Sequence, residues 1–183
     1  MSVARKLFRL FKSFNEWLKI KSLQKGDLPS FEKNLNIAAR AAFLFYWLFD
    51  NLAVLCKVKF ISSLDLKQTA RKASKCWLLG IILSIWIGIY GLIKAAKEEA
   101  KLLLSKSQIK PGEAGQADRQ KFDEQMKKIQ ASKVTHTLNI IKMAGDGITA
   151  SQSLGYPTRF LGINFSDGLV GVGGFTSAAI TCY

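Results

Sequence analysis

Three kinds of residue in this chain could carry chemistry: a single histidine, three cysteines, and a few carboxylates set in apolar sequence. His136 has no carboxylate or cysteine at catalytic spacing, so it reads as a packing residue on a half-buried helix and not as an acid–base group. Cys56, Cys76 and Cys182 lie far apart with no C-x-x-C pair. With one histidine they support neither a zinc site nor a disulfide framework, and they fit a reducing intracellular compartment. Gly171-Val172-Gly173-Gly174 has the look of a nucleotide loop, but no Gly-Lys-Ser/Thr accompanies it and no strand precedes it. Asp50, Asp146 and Asp167 are the carboxylates nearest apolar sequence. Each could cap a helix, pair with a cation such as Arg40 or Arg159, or line a polar path, and structural pairing is the favoured reading. Asn164-Phe165-Ser166 is a formal glycosylation sequon, unused inside a cell. The sequence thus predicts no catalytic residue, no cofactor, no metal ligand and no enzyme.

What remains to be explained is physical. The chain has 183 residues, 27 Lys and Arg against 13 Asp and Glu, a formal charge of +14, and yet is 49% hydrophobic. That length fits one domain, and the apolar content predicts that part of it sits in lipid. Residues 1–75 carry net +10, whereas Cys76–Ile93 (CWLLGIILSIWIGIYGLI) carries no charge at all. Those 18 residues make a helix of roughly 27 Å, about the thickness of a hydrocarbon core. Arg71, Lys72 and Lys75 flank one end, Lys94 and Lys97 the other, with Trp77 and Tyr90 at the interfacial positions. This is the clear transmembrane helix. Ala41–Cys56 is interrupted by Asp50 and Asn51; a carboxylate at the bilayer centre costs about 2.5–3.5 kcal/mol, so residues 31–60 are expected as a membrane-associated helix lying in the interface or against another helix. Residues 160–183 form a Gly-rich membrane helix that is marginal as a span. Within it Gly174, Ala178 and Cys182, and likewise Gly173 and Ser177, recur four apart, a spacing that lets helices pack closely in lipid.

The N-terminus shows the clearest periodicity. Leu7, Leu10, Phe11, Phe14, Trp17 and Leu18 recur at three- and four-residue steps, with Arg5, Arg9, Lys12, Glu16 and Lys19 elsewhere on the wheel. Residues 1–25 are therefore expected as a basic amphipathic helix. Its lipid-binding residues would be Arg5, Lys6, Leu7, Phe8, Arg9, Phe11, Lys12, Phe14, Trp17 and Leu18, with cations on anionic headgroups at roughly 1 kcal/mol each. Core packing, a mitochondrial presequence and nucleic-acid binding compete with this reading. Nucleic acid ranks lowest, because no recognition motif follows and a spanning segment does. Beyond the span, residues 105–116 read as a linker and 118–153 as an amphipathic helix, with Gly145 and Gly147 breaking its pattern around Asp146.

Three segments in order carry a family resemblance: RKLFRLFKSFNEW at the start, FLFYWLFDNLAVLCKV with its Asp-Asn pair among aromatics, and SDGLVGVGGFTSAAITCY at the close. Together they resemble peroxin-11, the peroxisomal membrane-elongation family, along nearly the whole chain as one domain. The resemblance implies an all-α integral membrane protein of the peroxisome with cytosolic termini. Its N-terminal helix would insert into one leaflet and promote curvature. It further implies self-association and recruitment of the fission machinery. The expected partners are an anionic phospholipid membrane and further copies of the chain, and no nucleic acid. Two other functions stay open at this point: a non-enzymatic scaffold subunit of a larger membrane complex, for instance in the mitochondrial inner membrane, and a metabolite channel.

Overall fold

Long apolar helices joined by short polar breaks leave this chain little choice but to stack helix on helix. The computed structural model describes residues 11–106 and 113–182, and these are all-α, as predicted. The helices are α1 (Lys12–Lys25), α2 (Ser30–Lys57), α3 (Leu66–Lys106), α4 (Glu113–Leu154), α5 (Tyr156–Leu161) and α6 (Asp167–Cys182).

Local chemistry accounts for the boundaries. Pro29 precedes the first residue of α2, where its fixed φ suits an entry into helix. Asp65 opens α3: its carboxylate accepts the Lys67 N–H at 2.8 Å. Ser166 opens α6 in the same way, its hydroxyl accepting the Leu169 N–H at 3.2 Å. The breaks on either side of α5 need glycine, because Gly155 and Gly162 lie at φ of 70° and 67°, in the left-handed region that side chains disfavour.

The helices run alternately up and down, and the contacts fix their register. Between α2 and α3 the rings of Phe31 and Tyr90 are 5.7 Å apart and those of Tyr46 and Trp77 5.5 Å apart. Between α3 and α4, Gly91 meets His136 and Gly88 meets Ile140. Between α4 and α6, Gly145 meets Gly173, and the Phe165 N–H donates to Gln152. α1 lies along α2, with Glu16 beside Arg40. Among the described residues the backbone of each long helix comes close only to its neighbour in the chain, α6 docking on α4 across the short α5. The result is a single layer, α1-α2-α3-α4-α6.

A single layer buries little. Among the described residues the buried apolar ones are Ala39, Ala42, Ala53, Ala73, Ala95 and Ala150, with only Val54, Ile81 and Leu154 larger. Small residues at helix contacts, not large ones, are how helices pack where lipid supplies no hydrophobic drive between them.

Several expected boundaries move. α3 continues to Lys106 and α4 already runs from Glu113, so the predicted linker 105–116 is helical at both of its ends. α4 passes through Gly145 and Gly147 without a break, because both glycines face neighbouring helices at close range: a Cβ on Gly147 would touch Ile81 at 3.7 Å. Among the described residues two helices are long and apolar enough to cross a membrane, α2 and α3. The C-terminal run is not extended by residues 161–165, since Gly162 turns the chain there and α6 keeps 16 residues.

Candidate membrane-facing surface

The register sets the depth of every polar group relative to the uncharged run of α3. Beside Cys76–Ile93 lie roughly residues 31–47 of α2, 136–154 of α4 and 166–182 of α6, as the ring and glycine contacts require. Asp50 therefore falls outside this belt. It sits with Ala73 and Ser74 at the margin marked by Trp77, one turn beyond Tyr46, and not at mid-depth, where a carboxylate is costly. The opposite margin is marked by Tyr90 and by the Glu32–Lys94 ion pair at 3.2 Å. Lys94 is held above the usual lysine range by the hydrogen bond and charge of Glu32.

Between Leu79 and Ile93 the outward side of α3 is apolar. Leu79, Ile82, Trp86, Ile89 and Ile93 form one exposed stripe at three- and four-residue steps, with Trp86 63% exposed. Phe31, Phe45 and Leu48 are likewise exposed on α2, and Leu169, Val172 and Phe175 on α6, the last 76% exposed. Apolar patches of more than a few hundred Å² are rare on water-facing proteins and mark contact with lipid or another protein.

On α1 the amphipathic pattern is turned outward. Phe11, Phe14, Trp17 and Leu18 are exposed, whereas Glu16 is buried, held by Lys19 at 2.7 Å and by Arg40 of α2 at 3.4 Å. Lys12 lies over the ring of Trp47, 4.6 Å from its centroid. At the other end of the helix the Lys33 ammonium donates to the carbonyls of Gln24 and Gly26. The ring contacts of this aromatic face stay within α1: Phe14 packs on Trp17, and Lys21 lies over the Trp17 ring at 5.2 Å. Arg5, Lys6, Leu7, Phe8 and Arg9 lie outside the described residues.

The small residues of α6 divide between two faces. Gly173 and Ser177 are buried against α4, and a Cβ on Gly173 would lie 2.8 Å from the Gly145 carbonyl oxygen. Gly174, Ala178 and Cys182 are exposed along the outer edge, with open space beside Gly174. Sequence spacing could not separate the two sets, because both repeat every four residues. It also gave no sign that Glu16 is an anchor: only the fold brings Arg40 to it.

Polar pairs elsewhere are structural. Glu99 and Lys133 bind one another between α3 and α4 beyond the belt. Gly91 leaves room for the imidazole of His136, and a Cβ there would lie 2.4 Å from the ring. Among the described residues no group of three or more His, Cys, Asp or Glu is placed to hold a metal.

No curated protein and no solved structure matches the chain. The family model described as Peroxisomal biogenesis factor 11 (PEX11) matches residues 1–183, the whole length. That family implies a role in peroxisome biogenesis at the peroxisomal membrane, and nothing supports the mitochondrial alternative. From a match of this extent, the chain belongs to the peroxisomal biogenesis factor 11 family.

Proposed function

We propose that this protein shapes and elongates the peroxisomal membrane, with α2 and α3 crossing the bilayer and α1 inserting its aromatic face into one leaflet as a wedge. The observation that carries the reading is the outward aromatic face of α1, Phe11, Phe14, Trp17 and Leu18, on a helix that buries its glutamate. Magnitudes favour insertion over docking. Burying one large apolar side chain is worth about 1.5–3 kcal/mol, whereas a partly exposed ion pair such as Glu16–Arg40 contributes about 1 kcal/mol or less. The Lys33 contacts to Gln24 and Gly26 lie at the hinge and can persist while the rest of α1 leaves α2. Curvature follows because the inserted volume expands one leaflet only. Arg5, Lys6, Arg9 and Lys12 then meet anionic headgroups.

The exposed edge of α6, Gly174, Ala178 and Cys182, is where two copies of the chain would approach closely. Self-association concentrates wedges on one patch of membrane, which the fission machinery then cuts. The test is direct: full-length protein reconstituted into liposomes containing anionic lipid draws them into tubules, and the double change Phe14→Glu with Trp17→Glu abolishes tubulation while the protein stays in the bilayer. Tubulation that survives this change would remove α1 from the mechanism.

A further inference from the structure

At the Trp77 margin of the belt, α2, α3 and the last turn of α4 enclose a cavity of about 240 Å³. Its polar and aromatic lining is Tyr46, Asp50, Lys57, Ser74, Trp77 and Ser153. None of these takes part in the shaping role assigned to α1 and α6.

The lining is ordered by helix geometry. Tyr46, Asp50 and Lys57 are spaced four and seven residues apart, which places all three on one face of α2. The ring of Trp77 comes across from α3 and stacks on Tyr46 at 5.5 Å with 17° between planes, placing two packed aromatic rings in the wall of the cavity. Lys57 is exposed, at the mouth. The cavity thus offers an aromatic wall with a carboxylate one turn away, then an ammonium towards water, with two serine hydroxyls between the helices. That sequence of groups is complementary to a zwitterion whose cation is large, weakly hydrated and without N–H donors, and whose anion is a phosphate. A quaternary ammonium needs a π face and a nearby negative charge, not a set of acceptors. The Asp50 carboxylate and the serine and tyrosine hydroxyls could also accept from a primary ammonium, so it is the aromatic rings that distinguish the two cations. The same aromatic cluster already receives one cation, since Lys12 lies over Trp47, whose ring is 4.6 Å from that of Tyr46. The volume is below the roughly 300–1,000 Å³ of pockets that enclose a drug-sized ligand, so it suits a headgroup and not acyl chains.

We propose that this cavity is a phosphocholine site, with Tyr46, Trp77 and Asp50 receiving the trimethylammonium group and Lys57 the phosphate. The membrane reading bears only on the source of the headgroup, phosphatidylcholine of the bilayer against soluble phosphocholine.

Full-length protein in a choline-free maltoside detergent is titrated with short-chain phosphatidylcholine or phosphatidylethanolamine of the same acyl length, and occupancy is read by native mass spectrometry. Phosphatidylcholine is expected to exceed phosphatidylethanolamine by roughly threefold to tenfold. Asp50→Asn, nearly isosteric, and Trp77→Leu bring the ratio to one, whereas Trp77→Phe retains a preference; circular dichroism checks that helicity is unchanged. Competition by soluble phosphocholine at equal concentration identifies the free compound as a sufficient ligand, and its failure to compete identifies the lipid. Equal occupancy of the two lipids by the unaltered protein, or a preference that survives Asp50→Asn, overturns the assignment. Neither result depends on tubulation, so this site and the wedge of α1 stand or fall separately.

Discussion

At the scale of single residues, the glycines decide how close the helices lie. A Cβ on Gly145 would come within 2.5 Å of the Gly173 carbonyl oxygen, and a backbone atom cannot move aside unless α4 and α6 part. Gly145→Ala is therefore expected to destabilise the α4–α6 contact by about 1–3 kcal/mol, which outweighs the gain of up to about 1 kcal/mol from replacing glycine within a helix. Gly91→Ala meets only the His136 ring, which can rotate away, and costs less. Gly171 has open space beside it, so Gly171→Ala is neutral or stabilising. Thermal melts of the detergent-solubilised protein should rank the three in that order. Gly174→Leu tests another property: it leaves the melting temperature unchanged but lowers the oligomeric mass measured by light scattering, if α6 edges meet between copies. Charge adds a smaller effect. Because Glu32 raises the pKa of Lys94 in the folded chain, this pair stabilises fully below the ordinary lysine pKa and is lost only as pH climbs through the raised value. Melts between pH 6 and 9 should accordingly show no change traceable to it, and Lys94→Gln should leave that flat profile intact.

At the scale of elements, the proposed mechanism gives α1 two positions, docked on α2 with its aromatic face outward or inserted in a leaflet, and Glu16 is the group that tells them apart. Docked on α2, Glu16 is paired with Arg40 and Lys19; inserted in a leaflet, the aromatics are buried and Glu16 turns to water. Glu16→Gln should weaken docking alone, so that the protein binds anionic vesicles more tightly, by roughly twofold to fivefold in a flotation assay. Reduced binding would instead mean that docking on α2 presents the aromatic face. The amphipathic period of α1 was legible from Phe11, Phe14, Trp17 and Leu18, and so was α3, whose uncharged run needs no partner to be recognised. The direction in which α1 turns that face was not, since it depends on Arg40, 24 residues away. The continuity of α4 was hidden for a related reason. Gly145 and Gly147 read as helix breakers in water, yet here they face other helices, where the missing side chain permits the contact.

At the scale of the whole molecule, the alternating order of helices places the turn before α2, the far ends of α3 and α4, and the last turn of α6 at one end of the layer. The α2–α3 loop and α5 lie at the other. With Cys56 and Cys76 replaced by serine, a membrane-impermeant thiol reagent applied to intact peroxisomes should label Cys182 and an introduced Ser105→Cys, and spare Ser63→Cys. Labelling of Ser63→Cys with protection of Ser105→Cys would invert the orientation. The end at which a residue lies was only partly readable from sequence. Asp50 shows why: the cost of its charge argued against mid-depth, but where it lies is set by which α3 residue stands opposite, and Phe43 stands opposite Gly80. The one-layer connectivity also bears on how the protein comes to be folded. No long helix must wait for a distant partner, so loop-closure costs stay small and assembly can proceed in order along the chain. Stability then resembles that of a one-dimensional array, a sum of nearest-neighbour terms. A chain shortened after α4 should still insert with α2 and α3 paired, whereas loss of α3 would leave α2 and α4 with nothing to hold them together.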